Sequence, residues 1–215
     1  MRYRAVIFDL DGVICYTDEY HYLAWKTLAD KLGVPFDRAF NDRLRGVSRK
    51  ESLRLILKRY TGPALTEAEQ DALADEKNML YRRFLYQMTP ADLPPEVKST
   101  LDALRARGLK LAIGSSSRNT PLILERIGLT DFFDAVADGN CITRSKPDPE
   151  VFLTAAAMIG EKPKHCLVVE DAVSGAKAGY AGGFSVACVG AAARDGAGDY
   201  NPESITDLVE ILERS

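Results

Sequence analysis

Asp9-Leu10-Asp11-Gly12 sets two carboxylates two residues apart, directly after the apolar run Arg4-Ala-Val-Ile-Phe8. In an extended chain, residues two apart lie on one side, so both side chains reach the same ligand. Carboxylates this close repel unless a cation or proton intervenes, and hard oxygen donors suit Mg²⁺. Gly12 lets the chain turn sharply away. Glu170-Asp171 repeats the pattern after Cys-Leu-Val-Val and before Ala-Val-Ser-Gly-Ala. If the two apolar runs are parallel neighbours, four carboxylates meet at one edge, a charge that needs a metal. Asp171 equally suits the N-cap of a following helix, and the two roles are compatible. Ser115 ends a third apolar run and offers a hydroxyl beside backbone N–H groups that suit a phosphate. Lys146 precedes a proline that restricts its backbone, and a lysine point charge is a good phosphate partner.

Elements must position these groups. Short apolar runs recur at 109–114, 135–137, 166–169 and 184–189. Between them lie helical patterns: Val97, Leu101 and Leu104 in one, Phe152, Ala155, Ala156 and Ile159 in another. Thr120-Pro121 and Asp148-Pro149 each offer an N-cap followed by proline at the first helical position. Strands alternating with helices imply right-handed βαβ units and a parallel sheet. Residues 17–88 break the alternation and show no strand. Trp25, Leu28, Ala29 and Leu32 form one helical stripe there, Leu53, Ile56, Leu57 and Tyr60 a second, and Leu80, Tyr81, Phe84, Leu85 and Met88 a third. Ser48-x-x-Glu51 and Thr66-x-x-Glu69 read as capping boxes. An all-helical insert after the first strand belongs above the strand C-termini, where open α/β sheets bind ligands. The expected fold is an α/β, Rossmann-like parallel-sheet core (1–16 and 89–215) carrying an all-helical cap (17–88).

The 215 residues carry 28 basic and 31 acidic side chains, a net charge of -3, so no basic excess drives nucleic-acid binding. No apolar stretch approaches the ~18 residues of a membrane span, and Asp9 and Asp11 interrupt the N-terminal apolar run before it reads as a leader. Cys15, Cys141, Cys166 and Cys188 show no metal-like pairing and read as reduced thiols of a cytoplasmic chain.

Asp-x-Asp-Gly, apolar strand then Ser115, Lys146-Pro, and Glu170-Asp171, in that order, resemble the four signature motifs of the haloacid dehalogenase superfamily, with a C1-type helical cap after the first. Within the cap and its facing loop, the stretches 18–26, 44–49, Lys77-Asn78 and 115–119 are similar to the β-phosphoglucomutase family. The resemblance implies Asp9 as nucleophile and Asp11 as general acid/base. It implies Mg²⁺ held by Asp9, Glu170, Asp171 and the Asp11 backbone carbonyl, and Ser115 and Lys146 on the transferring phosphate. Arg49 would hold the other phosphate, and Gly46, Val47, Ser116, Ser117, Arg118 and Asn119 would line the sugar side.

By pattern alone, His21 on an amphipathic helix beside Trp25 reads as a packing residue, Lys77 as a solvated face residue, and Arg49 as a surface charge at a helix start. The resemblance reverses all three, since the family uses this histidine and lysine, with Trp25 nearby, to couple recognition to closure. An arginine at a helix start also opposes the dipole, which an anion compensates. One position departs from the family: the first motif usually continues Asp-Thr, whereas here it reads Cys15-Tyr16-Thr17, which bears on cap motion. The implied reaction is an isomerisation between β-glucose 1-phosphate and glucose 6-phosphate through an aspartyl phosphate, with β-glucose 1,6-bisphosphate as intermediate and primer. The expected partner is a small sugar phosphate, with no nucleic acid or membrane, and the chain a monomer. A sugar-phosphate phosphatase is the alternative on the same four motifs. A receiver-type phosphoacceptor is disfavoured by the helical insert, and a true dehalogenase by carboxylates that would have no metal to serve.

Overall fold

The computed structural model describes residues 2–44 and 47–214. Strand β1 (Ala5–Phe8) opens the chain, followed by helices α1 (Asp18–Lys31), α2 (Arg38–Asp42), α3 (Arg49–Leu57) and α4 (Glu67–Leu85). Then come α5 (Pro95–Ala106), β2 (Lys110–Gly114), α6 (Thr120–Arg126), β3 (Ala135–Ala137), α7 (Glu150–Met158), β4 (Cys166–Glu170), α8 (Val173–Ala181), β5 (Ser185–Cys188), α9 (Gly190–Arg194) and α10 (Leu208–Glu213). The five strands pair in the order β3-β2-β1-β4-β5, all in parallel. All five expected strands are present, and none lies between 17 and 88 among the described residues.

Strand alternation divides the core. Val6, Phe8, Leu111, Ile113, Leu167 and Val169 face one layer with α5 and α10, while Ala5, Ile7, Ala112, Val168 and Val186 face another with α7 and α8. Such strands are buried on both faces, which is why they read as continuous apolar runs. A third cluster, around Trp25, Leu28, Phe36, Phe40 and Ile56, belongs to the helical insert itself. Helix α4 spans both: Ala74 packs in the insert's cluster, whereas Tyr81, Leu85 and the following Met88 join the first layer of the core.

Helix starts shifted where a side chain found other work. Helix α6 begins at Thr120 with Asn119 as its N-cap, because the Thr120 hydroxyl donates to the Ser117 carbonyl (2.9 Å) rather than capping. Helix α7 begins at Glu150 with Pro149 at the cap, although Asp148 Oδ1 still accepts the Glu150 N–H at 3.0 Å. Thr66 and Glu69 close a full capping box, but Glu51 answers Ser48 only through its backbone and gives its carboxylate to Arg54. All four cysteines are free thiols, and no described helix is long and apolar enough to cross a membrane.

Candidate active site

The C-terminal ends of β1, β2 and β4 open into a cavity of about 550 Å³ whose far wall is the helical insert. Parallel pairing of β1 with both β2 and β4 brings Asp9, Ser115 and Glu170 to one edge. Oxygen atoms of Asp9, Glu170 and Asp171 lie within 4.8 Å of one another. All four carboxylates line the cavity, and the tight oxygen cluster is made by these three. Asp11 lies in the turn after β1, and its carboxylate accepts the hydroxyl of Thr17. Gly12 has φ +88°, and a Cβ there would come 2.3 Å from Asp171 Oδ2, so only glycine admits both the turn and the carboxylate.

The N-cap position of α8 is Ala172, one residue past Asp171. The Glu170 carboxylate accepts the N–H groups of Asp171 and Ala172 (both 2.9 Å) through Oε2, just ahead of the helix. Its other oxygen accepts from Lys146 Nζ at 2.6 Å, and the same ammonium reaches Asp9 Oδ1 at 2.5 Å. Burial works against charge on Lys146, and the two facing carboxylates outweigh it, holding its pKa above the ordinary lysine value. The Asp9 pKa is raised as well, here against its charged form: burial lifts it well above the usual carboxylate range, Lys146 offsets part of this, and the neighbouring Glu170, Asp11 and Asp171 add to it. Two carboxylates of the cluster, Asp9 and Glu170, share one ammonium. Asp11 is also raised by burial, against the pull of the Thr17 hydrogen bond and the charges of Lys146 and Lys77.

Gly175, on the first turn of α8, gives Glu170 its room: a Cβ there would lie 1.8 Å from Glu170 Oε1. Glycine-to-alanine inside a helix ordinarily stabilises by about 1 kcal/mol. Here the clash must displace Glu170 from Lys146, and disrupting a buried pair costs about 3 kcal/mol or more. Gly175→Ala is therefore expected to destabilise by about 2 kcal/mol in urea unfolding. A stabilised variant would show that Glu170 is not confined as described.

On the core side of the cavity, Ser115 is 1% exposed and its hydroxyl accepts the Ser117 N–H at 3.1 Å. Ser116 lines the cavity with a buried hydroxyl that meets no partner among the described residues. Ser117 and Arg118 also line it, with Arg118 Nε donating to the Gly139 carbonyl at 3.2 Å. Asn119 lines it too, but its carboxamide is already engaged by α4, accepting from Arg82 (3.0 Å) and donating to Asn78 (2.9 Å).

On the insert side, His21, Trp25, Val47, Arg49 and Lys77 all face the cavity; Gly46 lies outside the described residues. Lys77 is 3% exposed, which overturns its reading as a solvated residue. Its Nζ sits 2.9 Å from His21 Nδ1 and 4.7 Å from the ring centroids of both Trp25 and Tyr81. The His21 ring stacks on Tyr81 with centroids 4.0 Å apart. Burial drives His21 well below its ordinary pKa, with the Lys77 charge adding to the effect, so its imidazole is neutral and accepts from Lys77. Burial, then the charge of Arg49, brings Lys77 down to about 7 against the pull of Asp11. Arg49 opens α3, as its position after Ser48 implied. Its Nη1 is buried, has no hydrogen bond among the described residues and stands 3.9 Å from Asp75 Oδ1. Burial lowers Arg49, Asp75 opposes this, and the Arg118 guanidinium across the cavity lowers it further.

The Lys77 environment predicts a proton linkage. The unfolded lysine holds its proton to about 10.5 and the folded one only to about 7, so the unfolded state binds more protons between these values. Lys77 therefore makes stability rise with pH across that window. An anion entering the cavity raises the folded pKa again. Binding a sugar phosphate at pH 8 should take up a proton, read by calorimetry in buffers of differing ionisation enthalpy. Lys77→Met should abolish the uptake, and buffer-independent heats in the unaltered protein would contradict it.

Sequence reasoning gave no role to Thr17, Asp75, Tyr81 or Arg82, and quoted Asn78 only within the resemblance. Tyr81 was visible only as part of a packing stripe. Asn78 and Arg82 sit four apart beside Lys77, a spacing that puts them on one helix face, and nothing in the sequence distinguished Asp75 from other exposed acids. Tyr16, the departure from the family pattern, is 65% exposed and leaves Thr17 to meet Asp11.

The haloacid dehalogenase-like hydrolase family matches residues 3–183. The β-phosphoglucomutase of Bacillus subtilis is 45% identical over 190 residues, covering 87% of this chain and 83% of that protein. The fructose-1-phosphate phosphatase YqaB of Escherichia coli is 32% identical over 186 residues, covering 85% and 94%. The crystal structure of a β-phosphoglucomutase from Clostridium difficile superposes with a TM-score of 0.92 at 34% identity, covering 99% of this chain and 96% of that one. With the strand-end carboxylates, the buried lysine and a match running over most of its length, the chain belongs to the haloacid dehalogenase-like hydrolase family and is an enzyme of it.

Proposed function

We propose that the protein is a β-phosphoglucomutase, interconverting β-glucose 1-phosphate and glucose 6-phosphate through an Asp9 aspartyl phosphate and β-glucose 1,6-bisphosphate. In this reading residues 17–88 are a cap over the core formed by 1–16 and 89–215, and the chain acts as a monomer on a small sugar phosphate. Four free thiols support a reducing, cytoplasmic setting. The observation that carries the reading is the pair of guanidiniums that meet in the cavity, Arg49 from the insert and Arg118 from the core. Arg49 and Arg118 come close enough to repel, and Asp75, whose side chain is 77% exposed, is the carboxylate beside Arg49 at 3.9 Å. A pair that exposed is worth at most about 1 kcal/mol. Two cations with so little compensation, opposite the Lys146 end, suit a second phosphate.

The donor set fits Mg²⁺. Asp9, Glu170 and Asp171 supply only hard oxygens in a buried cluster with more negative than positive charge. Bound there with the Asp11 carbonyl, the ion would offset charge on the transferring phosphoryl group. In the first half-reaction an Asp9 oxygen bonds to phosphorus, the bond from phosphorus to the sugar oxygen breaks, and Asp11 protonates that oxygen. In the second, Asp11 takes a proton from a sugar hydroxyl, which attacks the aspartyl phosphate and frees the Asp9 carboxylate. Lys146 and Ser115 hold the phosphoryl oxygens, while the cap excludes water that would otherwise hydrolyse the aspartyl phosphate.

The test supplies α- or β-glucose 1-phosphate, with and without the bisphosphate primer, and follows glucose 6-phosphate and free phosphate together. Primed conversion of the β-anomer alone supports the mutase. Free phosphate without glucose 6-phosphate marks a sugar-phosphate phosphatase instead. Chelation should abolish turnover and Mg²⁺ restore it, whereas Ca²⁺, which prefers more ligands at longer distances, should restore little. Full turnover after exhaustive metal removal would contradict the metal assignment.

A further inference from the structure

Helix α4 presents two neighbouring faces to the rest of the protein. Lys77 and Tyr81, four residues apart, face the cavity. Asn78 and Arg82, also four apart and one step around the helix, face the 115–119 loop of the core. There Asn119, 7% exposed, accepts from Arg82 Nη1 at 3.0 Å and donates to Asn78 Oδ1 at 2.9 Å. The orientation of this carboxamide is fixed by chemistry: a guanidinium only donates, so the Asn119 oxygen must face Arg82 and its NH₂ must face Asn78. The other arm of Arg82 donates to the Tyr86 hydroxyl at 2.9 Å, one turn further along α4. The guanidinium is thereby held from its own helix while it reaches across to the core.

The two ends of α4 are anchored differently. Leu85 and Met88 are buried in the core layer, whereas Ala74 packs with the insert. The contact to Asn119 lies between these ends, beside Lys77. We propose that Arg82 is a positioning residue for closure: with Asn78 it clasps α4 to Asn119, and so sets how much aspartyl phosphate passes to a sugar hydroxyl rather than to water. The effect on partition rests on the mutase reading above; the clasp itself does not.

The two are tested apart. Trp25 is the only tryptophan in the chain, is 3% exposed and packs in the insert's own cluster with one face on the cavity, so opening the cap gives a quencher access to that face. Acrylamide quenching of Trp25 in the ligand-free protein should rise severalfold in Arg82→Ala, less in Tyr86→Phe, and return toward the unaltered level in Arg82→Lys, which keeps a donor. In the primed assay with Mg²⁺, Arg82→Ala should release roughly tenfold more phosphate per glucose 6-phosphate formed, or more, the range expected for losing a hydrogen bond to a charged group. Phosphorylation of Asp9 by acetyl phosphate, which needs no cap, should stay at the unaltered rate. Quenching of Arg82→Ala at the unaltered level overturns the clasp. Raised quenching with an unaltered phosphate-to-product ratio overturns its role in partition. Raised quenching in a protein whose unaltered form shows no mutase activity leaves the clasp supported and overturns the mutase reading alone.

Discussion

Asp9→Asn is expected to lower phosphoryl transfer by at least about 10⁴-fold, the scale on which removal of a covalent nucleophile acts. An amide is a far weaker nucleophile and a poorer ligand for a hard cation. The same substitution should leave the fold intact and, in chelator, should not lower its stability. Asp9 shares one ammonium with Glu170 and has Asp171 in the same cluster, and its folded pKa is raised well above the usual carboxylate range. Between the unfolded pKa and that raised value the native state holds the extra proton, so wild-type stability falls as pH rises through this window. The substituted carboxamide carries no charge and escapes the penalty. At pH 7 in EDTA the variant should melt at or above the wild-type temperature, while adding Mg²⁺ should raise the wild type more than the variant. A folded, pure Asp9→Asn enzyme with near-wild-type turnover would eliminate the covalent mechanism, and a strongly destabilised one would contradict the electrostatic account.

The core was legible because its signals are short-range. Each strand is buried on both faces, so an apolar run of four or five residues marks it, and each run stops where the chain reaches polar site residues: Phe8 before Asp9, Gly114 before Ser115, Val169 before Glu170. The insert was legible as helix and as a cover over the strand ends, but not in which of its side chains are buried against the cavity. Lys77 illustrates why. Its sequence neighbours Glu76 and Asn78 are polar, and only the packing of Trp25, Tyr81 and His21 around it buries the ammonium. Asp11 reaches the cavity beside Asp9, but its partner was not legible, because the chain turns at Leu10–Cys15 and brings Thr17 to its carboxylate. The Arg82–Asn119 contact joins residues 37 apart in sequence, and neither residue type at its position announces the other.

Arg49→Ala is expected to separate the two chemistries that the four shared motifs leave joined. A bisphosphate intermediate must be held at both ends, and Lys146, bound between Asp9 and Glu170, serves only the reacting one. At the other end Arg49 has a buried Nη1 without a hydrogen bond among the described residues and a like-charged neighbour in Arg118, so an arriving anion stabilises its guanidinium beyond what the exposed Asp75 supplies. Binding energy from that remote phosphate is what favours closure, and substrates or enzymes lacking such a contact lose kcat as well as affinity. Mutase kcat/KM should therefore fall by about 10²-fold or more. Acetyl phosphate, with a single phosphate, should still phosphorylate Asp9 at nearly the wild-type rate. Arg118→Ala should show the same selectivity, and the double variant should lose less than the product of the two effects, because both guanidiniums address one anion. If acetyl phosphate and β-glucose 1-phosphate lose activity equally in Arg49→Ala, the residue supports the core site or the fold, and the two-phosphate reading loses the cap residue it depends on most.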